Sequence, residues 1–127
     1  MSTREREKAI KRRAAKKAAP AEASLNKFRM SPRKIRQVAD QLTGLTVAEA
    51  LSRLAFSLKG SARPLRKLIT SAVANAERKG GVDLDALRIL KVRVDAGQVA
   101  RRFMPRAQGR ATKIRKKTAH VTVVLGE

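Results

Sequence analysis

The chain contains no cysteine, tryptophan or tyrosine, and it has a single histidine, His120. The lack of cysteine excludes disulfide bonds, thiolate zinc sites and a cysteine nucleophile. A lone histidine without cysteine provides no metal-ligating set, so we expect neither a metal nor a cofactor. With three phenylalanines as its whole aromatic content, the chain also lacks the residues of a single-strand-binding stacking platform.

Acidic residues are scarce as well, with 10 Asp and Glu against 31 Lys and Arg, and the formal net charge is +21. A compact fold with this excess repels itself, which implies a polyanionic partner. No apolar run approaches the roughly 20 residues of a spanning helix, so nucleic acid is favoured over a membrane. A nucleic-acid enzyme would need a base, a nucleophile or a metal site, and none is evident. We therefore expect a binding protein without a small-molecule substrate.

Positive charge is densest in two regions, residues 1–19 and residues 88–118, and the part between them is closer to balanced. The first region has too few apolar residues to bury, and a short unpacked helix is marginal in water. We expect residues 1–22 to form a flexible basic tail and residues 23–127 to form one RNA-binding domain.

The tail is rich in Arg and Ala, as organellar transit peptides are. However, it contains Glu5 and Glu7 and is short of serine. This composition favours an intracellular protein without a targeting segment.

The first of three predicted helices begins at Ser31 and Pro32, because serine is a good N-cap and proline suits the first turn. Apolar residues then recur at helical spacing: Ile35, Val38, Ala39 and Leu42. Gly44 can end this helix in a left-handed turn.

Two more helices follow. Thr46 and Glu49 have the spacing of a capping box, which predicts the start of the second helix. The third helix is predicted to begin near Ser61, to accept Pro64 in its first turn and to run to the Gly80-Gly81 pair.

Beyond residue 81 the apolar period changes from helical to alternating, which predicts strands. The alternating apolar residues are Leu90, Val92 and Val94 in one segment and Val121, Val123 and Leu125 in the other. Residues 23–28 are a candidate third strand. The sequence thus predicts an α+β fold, with three helices packed on a small three-stranded antiparallel sheet.

Residues 97–117 connect the two main strands and are too long for a tight turn. They are too polar to form a core, so we expect both strands to continue outward as a long protruding β-hairpin, bent near residues 105–109. Such an arm would extend roughly 25 Å. The alternative is a disordered basic loop in the free protein. In either case arginine-rich chain suits RNA, whose phosphates and bases bind guanidinium groups.

Four segments resemble the twenty-two family of large-subunit ribosomal proteins: RMSPRKIRQVADQL (29–42), SAVANAE (71–77), FMPRAQGRA (103–111) and TAHVTVVL (118–125). The resemblance covers about residues 24–125. It implies a structural constituent of the large subunit that binds large-subunit ribosomal RNA and supports its assembly. It also implies a hairpin tip in the wall of the nascent-peptide exit tunnel, in a cytoplasmic ribosome rather than an organellar one.

The implied partners are large-subunit ribosomal RNA, neighbouring ribosomal proteins and the nascent polypeptide. Charge and resemblance together predict the RNA-binding residues Lys11, Arg12, Arg13, Lys16, Lys17, Arg29, Arg33, Lys34, Arg36, Lys113, Arg115, Lys116 and Lys117. The positions matching the tip are Arg101, Arg102, Phe103, Met104, Pro105, Arg106, Gln108, Gly109 and Arg110. Gln108 departs from the family pattern, in which many members have a basic residue. The rival function is an architectural DNA-binding protein with a basic β-arm.

Several polar residues have a structural as well as a functional interpretation. His120 would either pack beside the sheet or bind phosphate. Asn75 is expected to form a structural hydrogen bond rather than to contact RNA. Asp83 and Asp85 are expected to cap a turn rather than to bind a metal.

Overall fold

The structure, a computed structural model, describes residues 4–8, 20–80 and 83–126. Residues 4–8 are helical and exposed. The domain that follows consists of β1 (Ala21–Phe28), α1 (Pro32–Ala39), α2 (Val47–Phe56), α3 (Ala62–Lys79), β2 (Arg88–Pro105) and β3 (Ala111–Gly126). The strands form one antiparallel sheet in the order β1-β3-β2. This architecture confirms the predicted α+β fold with its long hairpin.

The core lies between one face of the sheet and the helices. The central strand β3 turns every second residue inward, and these residues are almost completely buried: Ala119, Val121, Val123 and Leu125. Each helix adds its apolar stripe, as Ile35, Ala50 and Ile69 show with 0% exposure. A strand with one buried face needs this alternation, because successive side chains point to opposite faces.

Strand β1 begins at Ala21, two residues before the predicted strand 23–28. Ala21 pairs with Leu125 and is buried, so the first pair of the ladder is also part of the core. Ala21 and Glu22 therefore belong to the sheet, although the sequence analysis assigned them to the tail.

The helix boundaries follow local chemistry. Thr46 and Glu49 form the predicted capping box: the Thr46 hydroxyl oxygen accepts from the Glu49 N–H at 3.3 Å, and Glu49 Oε2 accepts from the Thr46 N–H at 3.1 Å. Helix α3 ends at Gly80, whose φ of +68° is in the left-handed region. Helix α1 ends at Ala39, and hydrogen-bonded turns continue to Gly44, where φ is +86°.

Two β-bulges face each other across β3 at the point where the arm leaves the sheet. In β2, Gly97 and Gln98 lie opposite Thr118 alone; in β1, Asn26 and Lys27 lie opposite His120 alone. A side chain at Gly97 would not fit, because its Cβ would lie 2.6 Å from Thr118 Oγ1. Bulges bend and twist a strand. They therefore set the direction of the arm.

Candidate nucleic-acid interface

Beyond the Gly97 bulge, β2 and β3 continue as a two-stranded ribbon away from the body. Pairing is continuous from Val99 opposite Lys117 to Pro105 opposite Ala111. The side chains along it are exposed, except for the half-buried Ala100 and Ile114. The ribbon extends roughly 20–25 Å at the usual rise per residue. The predicted two-stranded arm is confirmed.

The tip of the arm is a compact turn at the predicted bend. The N–H of Arg106 donates to the carbonyl oxygen of Arg110 at 2.7 Å. Gln108 and Gly109 are both left-handed, with φ of +61° and +67°. Glycine adopts this conformation freely, whereas Gln108 does so at a cost of about 1–2 kcal/mol.

The arm has eight basic residues and no acidic residue between positions 97 and 117. Because side chains alternate, one face presents Val99, Arg101, Phe103, Lys113, Arg115 and Lys117. Arg101 lies directly opposite Arg115 on this face. Like charges in a cross-strand pair destabilise the ribbon, and a bound anion removes the penalty. The side chain of Phe103 is 68% exposed on the same face.

A basic groove lies where the arm meets the start of α1. It is lined by Arg29, Met30, Ser31 and Lys34 from one side and by Arg115, Lys116 and Lys117 from β3. Arg33 lines an adjoining groove that Lys117 also borders. The first turn of α1 has no acidic residue, and the positive end of its helix dipole favours anions. Residues distant in sequence thus form one cationic surface, here called the basic junction.

Arg36 has an internal partner. Its Nε and Nη2 donate to the carbonyl oxygen of Val94 at 3.2 and 2.8 Å. Two of the guanidinium donors therefore hold α1 against β2. The predicted contact of Arg36 with RNA stays a prediction.

The polar residues with two interpretations have structural partners. Asn75 Nδ2 donates to the carbonyl oxygen of Glu22 at 2.9 Å, and Asp83 Oδ1 accepts from the N–H of Asp85 at 3.1 Å. His120 Nδ1 lies 3.3 Å from the N–H nitrogen of Lys27, in the β1 bulge. These contacts favour the structural interpretation for each residue.

The predicted tail residues Lys11, Arg12, Arg13, Lys16 and Lys17 lie outside the residues that the structure describes. Within residues 4–8, 20–80 and 83–126, no group of three or more His, Asp or Glu side chains is arranged to hold a metal ion. In the same part of the chain, no helix has both the length and the apolar character that crossing a membrane requires.

Two cations on α3, Arg63 and Lys67, were not among the predicted RNA-binding residues. They border a groove between β1 and α3. In the sequence they belong to the polar face of an amphipathic helix, which is normally solvated. The one available signal was the absence of any acidic residue from the first turn of α3.

Comparison with known proteins gives a consistent result. The sequence profile described as "Ribosomal protein L22p/L17e" matches residues 23–126. A relative from Syntrophotalea carbinolica, named large ribosomal subunit protein uL22, is 55% identical over 107 residues, which cover 84% of this chain and 97% of the relative. The protein of the same name from Geobacter sulfurreducens is 51% identical, with 84% and 96% covered. The one from Anaeromyxobacter sp. (strain Fw109-5) is 54% identical, with 87% and 78% covered.

Proposed function

The chain belongs to the L22p/L17e family of ribosomal proteins, and from this premise we propose that it is a scaffold of the large ribosomal subunit that binds ribosomal RNA through its arm and its basic junction. Its cations lower the repulsion between phosphates of separate RNA segments and so hold these segments together during assembly. It acts by binding and not by catalysis, in the ribosomes of the cytoplasm.

The observation that carries this proposal is the pairing of Arg101 with Arg115 on a ribbon without acidic residues. An isolated two-stranded ribbon is marginal in water, and a like-charged pair weakens it further. In close contact with RNA phosphates the two arginines stabilise the ribbon instead of weakening it, because guanidinium groups bind phosphate through paired hydrogen bonds. The arm is therefore suited to lie among RNA segments.

Recognition by shape fits this surface better than reading of base sequence. The cations are spread along both faces of the ribbon rather than gathered at one reading position. Folded RNA presents irregular phosphate surfaces to which such a ribbon conforms. Family membership favours RNA over the architectural DNA interpretation.

The proposal extends to the tip, residues 101–106 and 108–110, which we place in the wall of the nascent-peptide exit tunnel. The exposed Phe103 and Met104 would there face the growing chain, with the surrounding arginines anchored in RNA. Neighbouring ribosomal proteins would contact the exposed remainder of the domain.

The test of RNA binding shortens the arm in register. Replacing residues 101–115 by Asn-Gly leaves Ala100 opposite Lys116, a pair that a two-residue turn can close. The change removes six cations, so the log–log salt slope for binding to large-subunit ribosomal RNA should become less steep by roughly 4–5. An unchanged slope would contradict the role of the arm.

A second variant keeps the length of the arm but changes the same six cations to glutamine. It should lose the same salt dependence, because the slope reports neutralised phosphates and not arm length. If only the shortened variant lost affinity, shape rather than charge would account for binding.

The tunnel assignment has its own test, which exploits the absence of cysteine. A photoreactive group attached at Gln108→Cys in translating ribosomes should cross-link to the nascent polypeptide. The same group at Ser52→Cys, exposed on α2, should not. If Gln108→Cys formed cross-links only to RNA, the assignment of the tip to the tunnel wall would be contradicted.

A further inference from the structure

A second groove of different character lies on the body, between β1 and α3. It has a volume of about 670 Å³ and is lined by Ser24, Leu25, Phe28, Arg63, Pro64, Lys67, Leu68 and Ser71. We call it the β1–α3 groove. It shares no lining residue with the basic junction.

The floor of this groove is apolar and its rim is cationic. Leu25 and Phe28 are half-buried and pack against the core. Arg63 and Lys67 lie one turn apart on α3 with exposed side chains. A partner that fits must bring a flat apolar surface and negative charge at its side.

The rim cations are placed where the helix itself does not favour them. Arg63 and Lys67 are in the first two turns of α3, near the positive end of the helix dipole, which does not favour positive charge. By contrast, α2 begins with the carboxylate of Glu49 in its first turn. An anion on the rim would be attracted both by the two cations and by the positive end of the helix dipole.

The neighbouring edge of β1 argues against a protein strand as the occupant. Asn75 Nδ2 donates to the carbonyl oxygen of Glu22, and Lys79 Nζ donates to that of Pro20 at 2.8 Å. These side chains of α3 cover the beginning of the edge, so a peptide has little open backbone for strand addition.

The same edge offers polar groups to a smaller ligand. Because backbone groups alternate in direction along a strand, the N–H and C=O of Ser24 point to the same side as the Glu22 carbonyl. They provide one donor and one acceptor beside the apolar floor. This combination suits the edge of a nucleobase.

We propose that the β1–α3 groove binds one unstacked nucleotide of ribosomal RNA, with its base against Phe28 and its phosphate between Arg63 and Lys67. A nucleotide combines the planar apolar face and the negative charge that the groove requires. Bases outside a helix commonly stack on aromatic side chains. The inference rests on the proposed RNA-binding function and adds a defined site to it.

Binding to large-subunit ribosomal RNA is measured first for two groove variants and one control variant. Phe28→Leu keeps the side chain apolar and removes the stacking surface, and it should lower affinity roughly tenfold. Arg63→Gln with Lys67→Gln should also lower affinity roughly tenfold. The matched control, Lys59→Gln with Arg66→Gln, removes two exposed charges outside the groove and should have a much smaller effect.

Site proximity is tested in the assembled subunit. An iron chelate attached at Ser71→Cys, in the groove, should cleave ribosomal RNA at an unpaired nucleotide, and Phe28→Leu should weaken this cleavage. The same chelate at Ser52→Cys should leave that nucleotide intact. Because Arg63 and Lys67 are exposed, their variant stays informative even if Phe28→Leu is unstable.

Each outcome decides between the site and the general function. If the wild-type protein binds ribosomal RNA but Ser71→Cys gives no cleavage and the groove variants match the control, the nucleotide site is wrong and the proposed function stands. If a photoreactive group attached at Ser71→Cys cross-links to a neighbouring protein and not to RNA, the site is overturned in favour of a protein partner. If the wild-type protein fails to bind ribosomal RNA, the proposed function itself is wrong.

Discussion

The guanidinium of Arg36 donates two hydrogen bonds to the carbonyl oxygen of Val94, 58 positions later in the chain. Val94 lies on β2, three residues before the Gly97 bulge, and pairs with Val121 on β3. The contact joins α1 to the base of the arm. It thereby holds α1, which contributes Lys34 to the basic junction, close to the base of the arm.

Replacing Arg36 should loosen this joint. Arg36→Met keeps the apolar stem and removes both hydrogen bonds, and it should lower the free energy of unfolding by about 1 kcal/mol, because the group is partly solvated. Arg33→Met removes an exposed cation of the same helix that has no such bond, and it should change stability much less. Urea denaturation measures both. An equal loss of stability in the two variants would show that the positive charge, and not the contact with Val94, stabilises the fold.

Gly97 should tolerate no side chain. Gly97→Ala would place a Cβ 2.6 Å from Thr118 Oγ1 and 3.0 Å from His120 Nε2, so the bulge must shift. We expect the free energy of unfolding, measured by thermal or urea denaturation, to fall by about 1–3 kcal/mol.

Gly60→Ala is the matched control for Gly97→Ala. Its Cβ would meet Met30 Cε at 3.4 Å, an ordinary contact, so stability should hardly change. Loss of stability in both variants to the same extent would mean that glycine flexibility, rather than space at the bulge, is responsible.

The capping box predicts a defined pH dependence. The pKa of Glu49 lies below its ordinary value of 4.5, chiefly because the backbone N–H of Thr46, and then its side chain, stabilise the carboxylate. A lowered folded-state pKa contributes stability that is complete above the unfolded-state value and is lost as pH falls through the folded-state pKa. The stability difference between wild type and Glu49→Gln should therefore be constant above about pH 6 and shrink below about pH 4.5.

Urea titrations of both proteins at pH values from about 6 down to about 3 measure this change. A difference that stays constant down to about pH 3 would show that the neutral carboxyl caps α2 as well as the carboxylate does.

The like-charged pair of the arm predicts opposite effects on the free and bound protein. Arg115→Glu places a carboxylate opposite Arg101, so the free ribbon should become more stable by about 0.2–1 kcal/mol. Amide hydrogen exchange along residues 99–117 measures this gain. Affinity for ribosomal RNA should fall, because one phosphate-binding cation is lost and a repelling charge is added.

Arg115→Gln should lie between wild type and Arg115→Glu in both measurements. A variant ribbon that is more stable and also binds RNA more tightly would exclude phosphate as the surface that the arm contacts.

Features that depend on neighbouring residues in sequence were predictable. The capping box of Thr46 and Glu49 and the end of α3 at Gly80 depend on residues within a single turn, so both could be predicted without knowledge of the tertiary structure. The arm was predictable for a related reason: residues 97–117 have too little apolar surface to form anything but a projection. The position of Asn75 between the sheet and α3 also agreed with expectation.

Features that depend on residues distant in sequence could not be predicted. In the sequence Arg36 cannot be distinguished from a solvated cation of an amphipathic helix, because its partner Val94 is 58 positions away. Nothing next to Gly97 indicates that Thr118 and His120 will crowd it. The start of β1 was placed late because Ala21 is a weak strand former, and only its pairing with Leu125 buries it.

The strand order has a consequence for how the molecule reaches its folded state. The central strand β3 is the last of the three in chain order. Ala21 can therefore pair only after the chain has brought Leu125, over a hundred positions later, beside it. Pairings over such separations close slowly, and until then the apolar residues of β1 are open to wrong contacts. Helices α1 to α3 should therefore form early as a partly collapsed unit. Refolding should be limited by the arrival of the Val121–Leu125 segment, which completes the sheet in a single late step.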